Sequence, residues 1–182
     1  FRAGNETVVL DLGPVAFYKE GLIFAADIAI NVLNIIFAFW DGEEKGLLGS
    51  KFFVQTCPFI SQVKGYLNFD MIGRNNKPQQ PMHVVYFYTE ANAAFGKWLK
   101  EDIKKYNLRL EPDYRPWDNP IGGSDNSSFA KAGVPIIWYH TDGHPDYHQP
   151  SDHADRLNWE KIVEITRASF LNAWNLANEK EY

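Results

Sequence analysis

Cysteine is nearly absent from this chain: Cys57 stands alone in 182 residues. That excludes an internal disulfide and a zinc site built on several thiolates. Basic residues are also short, with 18 Lys and Arg against 23 Asp and Glu and a net charge of −5. Such a balance offers phosphates no basic face, so nucleic acid is not an expected partner. No apolar run reaches 18 residues, so no transmembrane helix is expected. Internal repeats, low-complexity tracts and a linker marking a second domain are missing too. The chain begins at Phe1 and carries no signal peptide, so a processed or trimmed start is expected.

What is present is an ordinary globular composition, 45% hydrophobic and 23% charged, on enough chain for a real core. Residues 1–182 are expected to form a single domain. Strand-like runs fall at residues 7–13, 35–40, 64–71, 82–88 and 134–139. Helical patterning falls at 22–34, 46–57, 91–106 and 158–178, and a short helix is expected after Gly122-Gly123-Ser124-Asp125 with Ser124 as its cap. Residues 113–121 contain two prolines and read as a loop, and 141–155 as a polar loop. Strands alternating with helices predict an α/β fold, a largely parallel mixed sheet with helices on both faces.

Acidic and imidazole groups collect where these strands end. Glu43 and Glu44 follow the apolar run 35–40, Asp70 ends the next strand, and the loop after the last strand holds His140, His144, His148 and His153. Open α/β sheets place ligands at the carboxyl ends of their strands. Two adjacent glutamates on irregular backbone can serve two ends there, one binding a metal and the other handling the proton of a water. Carboxylate oxygens and an imidazole are ordinary zinc ligands. Taken singly, a Glu-Glu pair is more often a solvated turn, and a lone histidine more often a surface residue.

Four segments in one order change that balance: Phe37-Ala38-Phe39-Trp40-Asp41-Gly42-Glu43-Glu44-Lys45-Gly46-Leu47-Leu48-Gly49-Ser50, then Asn68-Phe69-Asp70-Met71-Ile72-Gly73, then Gly123-Ser124-Asp125 with Phe129 and Gly133-Val134-Pro135, then Tyr147-His148 with Asp152. Together they resemble the co-catalytic zinc aminopeptidases, metallopeptidase family twenty-eight, over roughly residues 35–178. The resemblance implies a hydrolase that removes N-terminal residues from peptides, with peptide as substrate and zinc as cofactor. It implies Glu43 as general base, Glu44 as zinc ligand, Asp70 as ligand of the other zinc and His148 as the late histidine ligand. It also implies a secreted or periplasmic protein. Asp152 could steer His148, His83 is expected in the core, and Ser124 and Asp125 are expected to cap a helix.

The first third departs from the family's pattern. The early His-x-Asp motif has its nearest match in Val9-Leu10-Asp11, with valine in the ligand's place. The bridging aspartate has its nearest match in Asp27, within Ala26-Asp27-Ile28. Valine has no donor atom, so one tight zinc is expected, on Asp27, Glu44 and His148, with a second site doubtful. Glutaminyl cyclases resemble the same family and use one zinc on an Asp, a Glu and a His, which keeps cyclisation open as a second activity. A metal-deficient, non-catalytic remnant of the fold is the third reading.

Overall fold

The computed structural model describes residues 6–11, 24–26, 33–118, 121–178 and 182, and only the backbone for 6–11, 24–26 and 33–34. The described strands are β1 (Glu6–Asp11), β2 (Phe24–Ala26), β3 (Leu33–Ala38), β4 (Val63–Phe69), β5 (His83–Tyr88), β6 (Glu111–Pro116) and β7 (Ile136–His140). The helices are α1 (Leu48–Thr56), α2 (Ala94–Tyr106), α3 (Asn126–Lys131) and α4 (Trp159–Asn178). The strands form one seven-stranded sheet in the order β2-β3-β1-β4-β7-β5-β6. β3, β1, β4 and β7 run parallel, β2 lies antiparallel on β3, and β5 with β6 runs opposite to β7. The expected class, a largely parallel mixed α/β sheet, is what forms.

Strand alternation sorts the side chains into two cores. Leu67, Phe69, Ile137 and Tyr139 face α2 and α4, where Phe95, Leu99, Ile165 and Ala168 are buried against them. Tyr66, Ile136 and Trp138 face the other way, joining Phe129 of α3 and, at the margin, Phe53 and Val54 of α1. Helices therefore cover both faces. On α4 the buried stripe runs Lys161, Ile165, Ala168, Asn172 and Leu176, while Phe170 and Trp174 are 59% and 43% exposed.

Two expectations fail. Residues 22–34 do not form a helix where they are described: Phe24–Ala26 is an edge strand and β3 already begins at Leu33. Residues 113–121 are not wholly loop, because β6 spans Glu111–Pro116 despite holding Pro112 and Pro116. β6 pairs with β5 alone and ends the sheet, and an edge strand tolerates proline where its N–H would face solvent. In β1, Val9 pairs with Tyr66 of β4, two residues before the end of β1 at Asp11.

The second core is closed by one stack: the rings of Tyr66 and Phe129 lie 3.9 Å apart and 10° from parallel, and both are fully buried. Phe129→Ala should therefore destabilise the protein by roughly 3–5 kcal/mol, the usual cost of deleting a buried phenyl ring. Urea denaturation followed by far-UV circular dichroism would measure it, and a change under about 1 kcal/mol would place that ring outside the cooperative core.

Candidate active site

β3, β4 and β7 release their chains at the same edge of the sheet, with β1 between the first two. After β3 the backbone turns sharply. Gly46 and Leu47 amides both donate to the Glu43 carbonyl at 2.9 Å, and the Gly49 amide donates to the Asp41 carbonyl at 2.9 Å. Gly42, Gly46 and Leu47 hold φ of 70°, 100° and 63°. The value at Gly46 lies beyond what a side chain tolerates, which explains glycine there. At Gly49 the reason is space, because a Cβ would stand 2.9 Å from both the amide nitrogen and the carbonyl oxygen of Asp41. The first turn of α1 thus lies directly on the backbone that presents Glu43 and Glu44.

The turn faces His148. Its Nε2 donates to Glu44 Oε1 at 2.7 Å, across 104 residues of sequence. Both groups are solvent-facing, with side chains 53% and 72% exposed. Tyr147 stacks on the His148 ring at 3.9 Å. Glu43 is more enclosed. Burial pushes its carboxyl above the ordinary range, the charges of Asp70, Glu44 and Asp125 push it further, and His148 opposes them. The Tyr147 hydroxyl is raised too, by burial first and then by Glu44, Asp70 and Glu43. Of the residues singled out in the sequence, Glu43, Glu44, Asp70 and His148 are thus brought within one electrostatic neighbourhood.

Asp27 lies outside the described residues. The strand before it, β2, runs antiparallel to β3, with Ala26 opposite Ile35, so β2 ends at the edge of the sheet away from the glutamates. The Asp152 carboxylate is engaged away from the His148 ring. It accepts from Arg74 and lies 3.8 Å from His144 Nε2. His83 is half-buried rather than a core residue. Ser124 and Asp125 make no side-chain cap to α3, where Ser124 offers only its carbonyl, to the Ser127 amide at 2.9 Å.

Several members of the site gave little sign in the sequence. Asp125 is 5% exposed, and its Oδ1 has no hydrogen-bond partner. Burial raises its carboxyl, the Asp70 charge adds to that, and a hydrogen bond with Ser50 opposes both. His140 donates from Nδ1 to the Asp70 carbonyl at 2.9 Å, tying the end of β7 to the end of β4. His144, expected in solvent, has a side chain only 3% exposed, and burial lowers its pKa. Asp146 accepts from Arg74, from Ser151 at 2.6 Å and from Arg156 at 2.6 Å, which holds its carboxyl far below the usual range.

Could this arrangement hold a metal? The donor chemistry suits zinc, since Glu44 and His148 present a carboxylate oxygen and an imidazole nitrogen to one point. At 2.7 Å they are hydrogen-bonded to each other, whereas two ligands of a tetrahedral zinc stand about 3.4 Å apart. A small separation of two exposed side chains would make the room. Among the described residues no three His, Cys, Asp or Glu side chains already form a metal cluster. The residues therefore fit as two ligands, and a third has to come from elsewhere.

Comparisons with known proteins agree on kinship. The profile of Peptidase family M28 matches residues 22–172. Leucine aminopeptidase 2 of Arthroderma otae is 50% identical over 147 residues, covering 72% of this chain and 28% of its own. The LapA aminopeptidase of Legionella pneumophila superposes with a TM-score of 0.74 at 22% identity, covering 97% of this chain and 53% of that one. A zinc aminopeptidase from Bacillus subtilis gives 0.66 at 18% identity, covering 82% and 37%. The chain thus spans under a third of the curated relative and about half of the LapA chain. At these identities the two structures establish the shared fold.

Two predictions rest on this geometry. Gly49→Ala should destabilise by roughly 1–3 kcal/mol, the usual cost of overpacking, because its Cβ meets backbone that cannot rotate away. Chemical denaturation would measure this, and a neutral or stabilising outcome would refute the close approach. The second concerns Glu43, whose folded pKa lies above the ordinary 4.5. Between those two values the folded state binds more protons than the unfolded, so stability falls as pH rises through that window. Metal-free Glu43→Gln should accordingly be more stable than the unmodified protein near neutral pH, with the gap closing below the ordinary value of 4.5. A gap that ignores pH would mean the Glu43 charge is not its source.

Proposed function

The chain belongs to Peptidase family M28, and from that premise we propose that it acts as a zinc-dependent aminopeptidase, hydrolysing N-terminal residues from peptides. The observation that carries the reading is the 2.7 Å approach of His148 to Glu44, with Glu43 on the same turn and its carboxyl held above the ordinary range. Glu44 and His148 would hold the zinc with Asp70 beside them; β2 leads away from this turn, so the third ligand is left unassigned and not given to Asp27. A zinc ion bound there supplies Lewis acidity toward the scissile carbonyl and makes its water easier to deprotonate. Glu43 takes that proton and returns it to the departing amine, so that water is divided across the broken C–N bond. A carboxyl that holds its proton more firmly than an ordinary glutamate suits the second half of that task. The substrate's ammonium group meets the negative field of Glu43, Asp70 and Asp125. No described helix is long and apolar enough to cross a membrane. By family resemblance the protein works in a secreted or periplasmic setting, where peptides are met outside the cytoplasm.

One tight zinc is the expected content. The described β1 places no histidine beside Asp70, and carboxylates alone make a poor second zinc site. A single-zinc count also suits glutaminyl cyclisation, and the valine in the early histidine's place suits an inert relative. Release of a chromogenic leucyl amide, cyclisation of an N-terminal glutaminyl peptide, or neither separates the three.

The two glutamates should part company under substitution. Glu44→Ala should lower zinc affinity, measured by titration against a competing chelator. Glu43→Gln should keep the metal and lose turnover by roughly 10²- to 10⁴-fold, the usual worth of a general base. Equal metal loss in both variants would contradict the division of roles.

A further inference from the structure

His148 is held with little help from its own surroundings. It stands in a loop with no strand or helix between β7 and the 3-10 turn at Ala154–Arg156. Its φ is 55°, a left-handed conformation that costs a non-glycine residue about 1–2 kcal/mol. Its side chain is half exposed, and the ring it stacks on, Tyr147, is itself 45% exposed. Something else has to fix the loop.

The two residues that flank it are fixed by one guanidinium. Arg74 donates from one nitrogen to Asp146, two residues before His148, and from another to Asp152, four residues after it. The Arg74 and Asp146 side chains are only 13% and 12% exposed. Between the flanks the backbone closes on itself, with Gln149 N–H donating to the Asp146 carbonyl at 2.9 Å and Asp152 N–H to the Gln149 carbonyl at 3.0 Å. Arg74 has a firm base of its own. The wholly buried Lys161 ammonium donates to its carbonyl, and the Asn158 amide donates to the Gly73 carbonyl at 2.7 Å. Arg74 also lies four residues after Asp70, so the segment carrying one acidic member of the site carries the clamp for the imidazole.

We propose that Arg74 is a positioning residue for the candidate site, gripping Asp146 and Asp152 on either side of His148 so that its imidazole stays opposite Glu44. The planar fork matters, because a lysine ammonium is a single point of charge and does not span two carboxylates in fixed directions. The clamp rests on the reading of His148 as a metal ligand only for its consequence, which is tighter metal binding; the fixing of the ring itself holds in the metal-free protein.

Zinc affinity by chelator competition in four proteins tests the consequence: the unmodified chain, Arg74→Gln, His148→Ala and the double variant. Arg74→Gln should weaken zinc about 10- to 100-fold, the usual effect of losing a residue that orients a ligand. In the His148→Ala background it should add almost nothing, and Asp146→Asn should reproduce it. Equal losses from Arg74→Gln with and without His148 would overturn the proposal, since a merely structural residue acts alike in both. The His148 ring carbon resonances of metal-free protein test the fixing directly. They should move in Arg74→Gln toward those of an unrestrained histidine, and resonances that stay put would overturn the clamp whatever zinc does. Undiminished zinc affinity in His148→Ala alone would instead remove the ligand reading, while moved resonances would still support the clamp. Should Arg74→Gln fail to fold, Arg74→Lys keeps the charge and loses the fork. The same two measurements on that variant then support or overturn the clamp by the same results.

Discussion

Like charge brought together is the constraint on which this structure turns. Glu43 feels the negative fields of Asp70, Glu44 and Asp125, and Asp125 that of Asp70, so four carboxyl groups share one neighbourhood. Such crowding raises carboxyl pKa values and opposes folding unless a cation or proton offsets it. Two of the four carry raised values, the most buried of them with an oxygen that has no partner. Within the described chain the nearest relief is the hydrogen bond from His148 to Glu44. A divalent cation would relieve far more of it, which is why the chemistry of the donor set and the electrostatics of the turn point the same way.

Holding such a cluster in place requires stiffness that the carboxylates themselves cannot supply. It comes from three directions. Under Glu43 and Glu44, α1 lies so close to Asp41 that only glycine fits at position 49. Behind Asp70, a polar chain runs from Trp40 Nε1–H to the Tyr66 hydroxyl at 3.0 Å, onward to Asn68 at 3.3 Å and from the Asn68 amide to Asn126 at 3.0 Å, joining the segment after β3 to β4 and α3. Each link is satisfied by the next, so these polar groups carry no orphan cost along that path. Beside His148, Arg74 and Lys161 tie the last loop to the segment after β4. The site is a meeting of loops, and its precision derives from what lies beneath them.

Much of this was legible in the sequence, and the misses have physical causes. The parallel core strands announced themselves because strands buried on both faces read as continuous apolar runs. The Glu43–Glu44 turn and Asp70 were legible because each follows such a run, whereas His148 was separated from His140, His144 and His153 only by the family resemblance. β6 was hidden by its prolines, which forbid an interior strand but not an edge one. Residues 22–34 carry apolar spacing that satisfies a helical period, while the edge pairing of β2 on β3, a tertiary choice, decides the matter for Phe24–Ala26. His144 and Asp146 could not be told from their loop neighbours, because partners such as Arg74, some 70 residues away, enclose them. Ion pairs between loops leave no periodicity to read.

The expectation of one tight zinc rests on valine at position 9, which has no donor atom. In the parallel pair of β1 with β4, Leu10 stands opposite Leu67, and the described β1 ends at Asp11. Asp70 stands three residues beyond Leu67, past the point where β1 has ended. His140 is the nearest imidazole to Asp70 by contact, yet its Nδ1 proton is committed to the Asp70 carbonyl at 2.9 Å. With Nδ1 engaged there, Nε2 is the nitrogen His140 would offer a second metal, without surrendering its role in tying β7 to β4. It thereby becomes the first residue to examine should two tightly held zinc ions ever be counted in one chain.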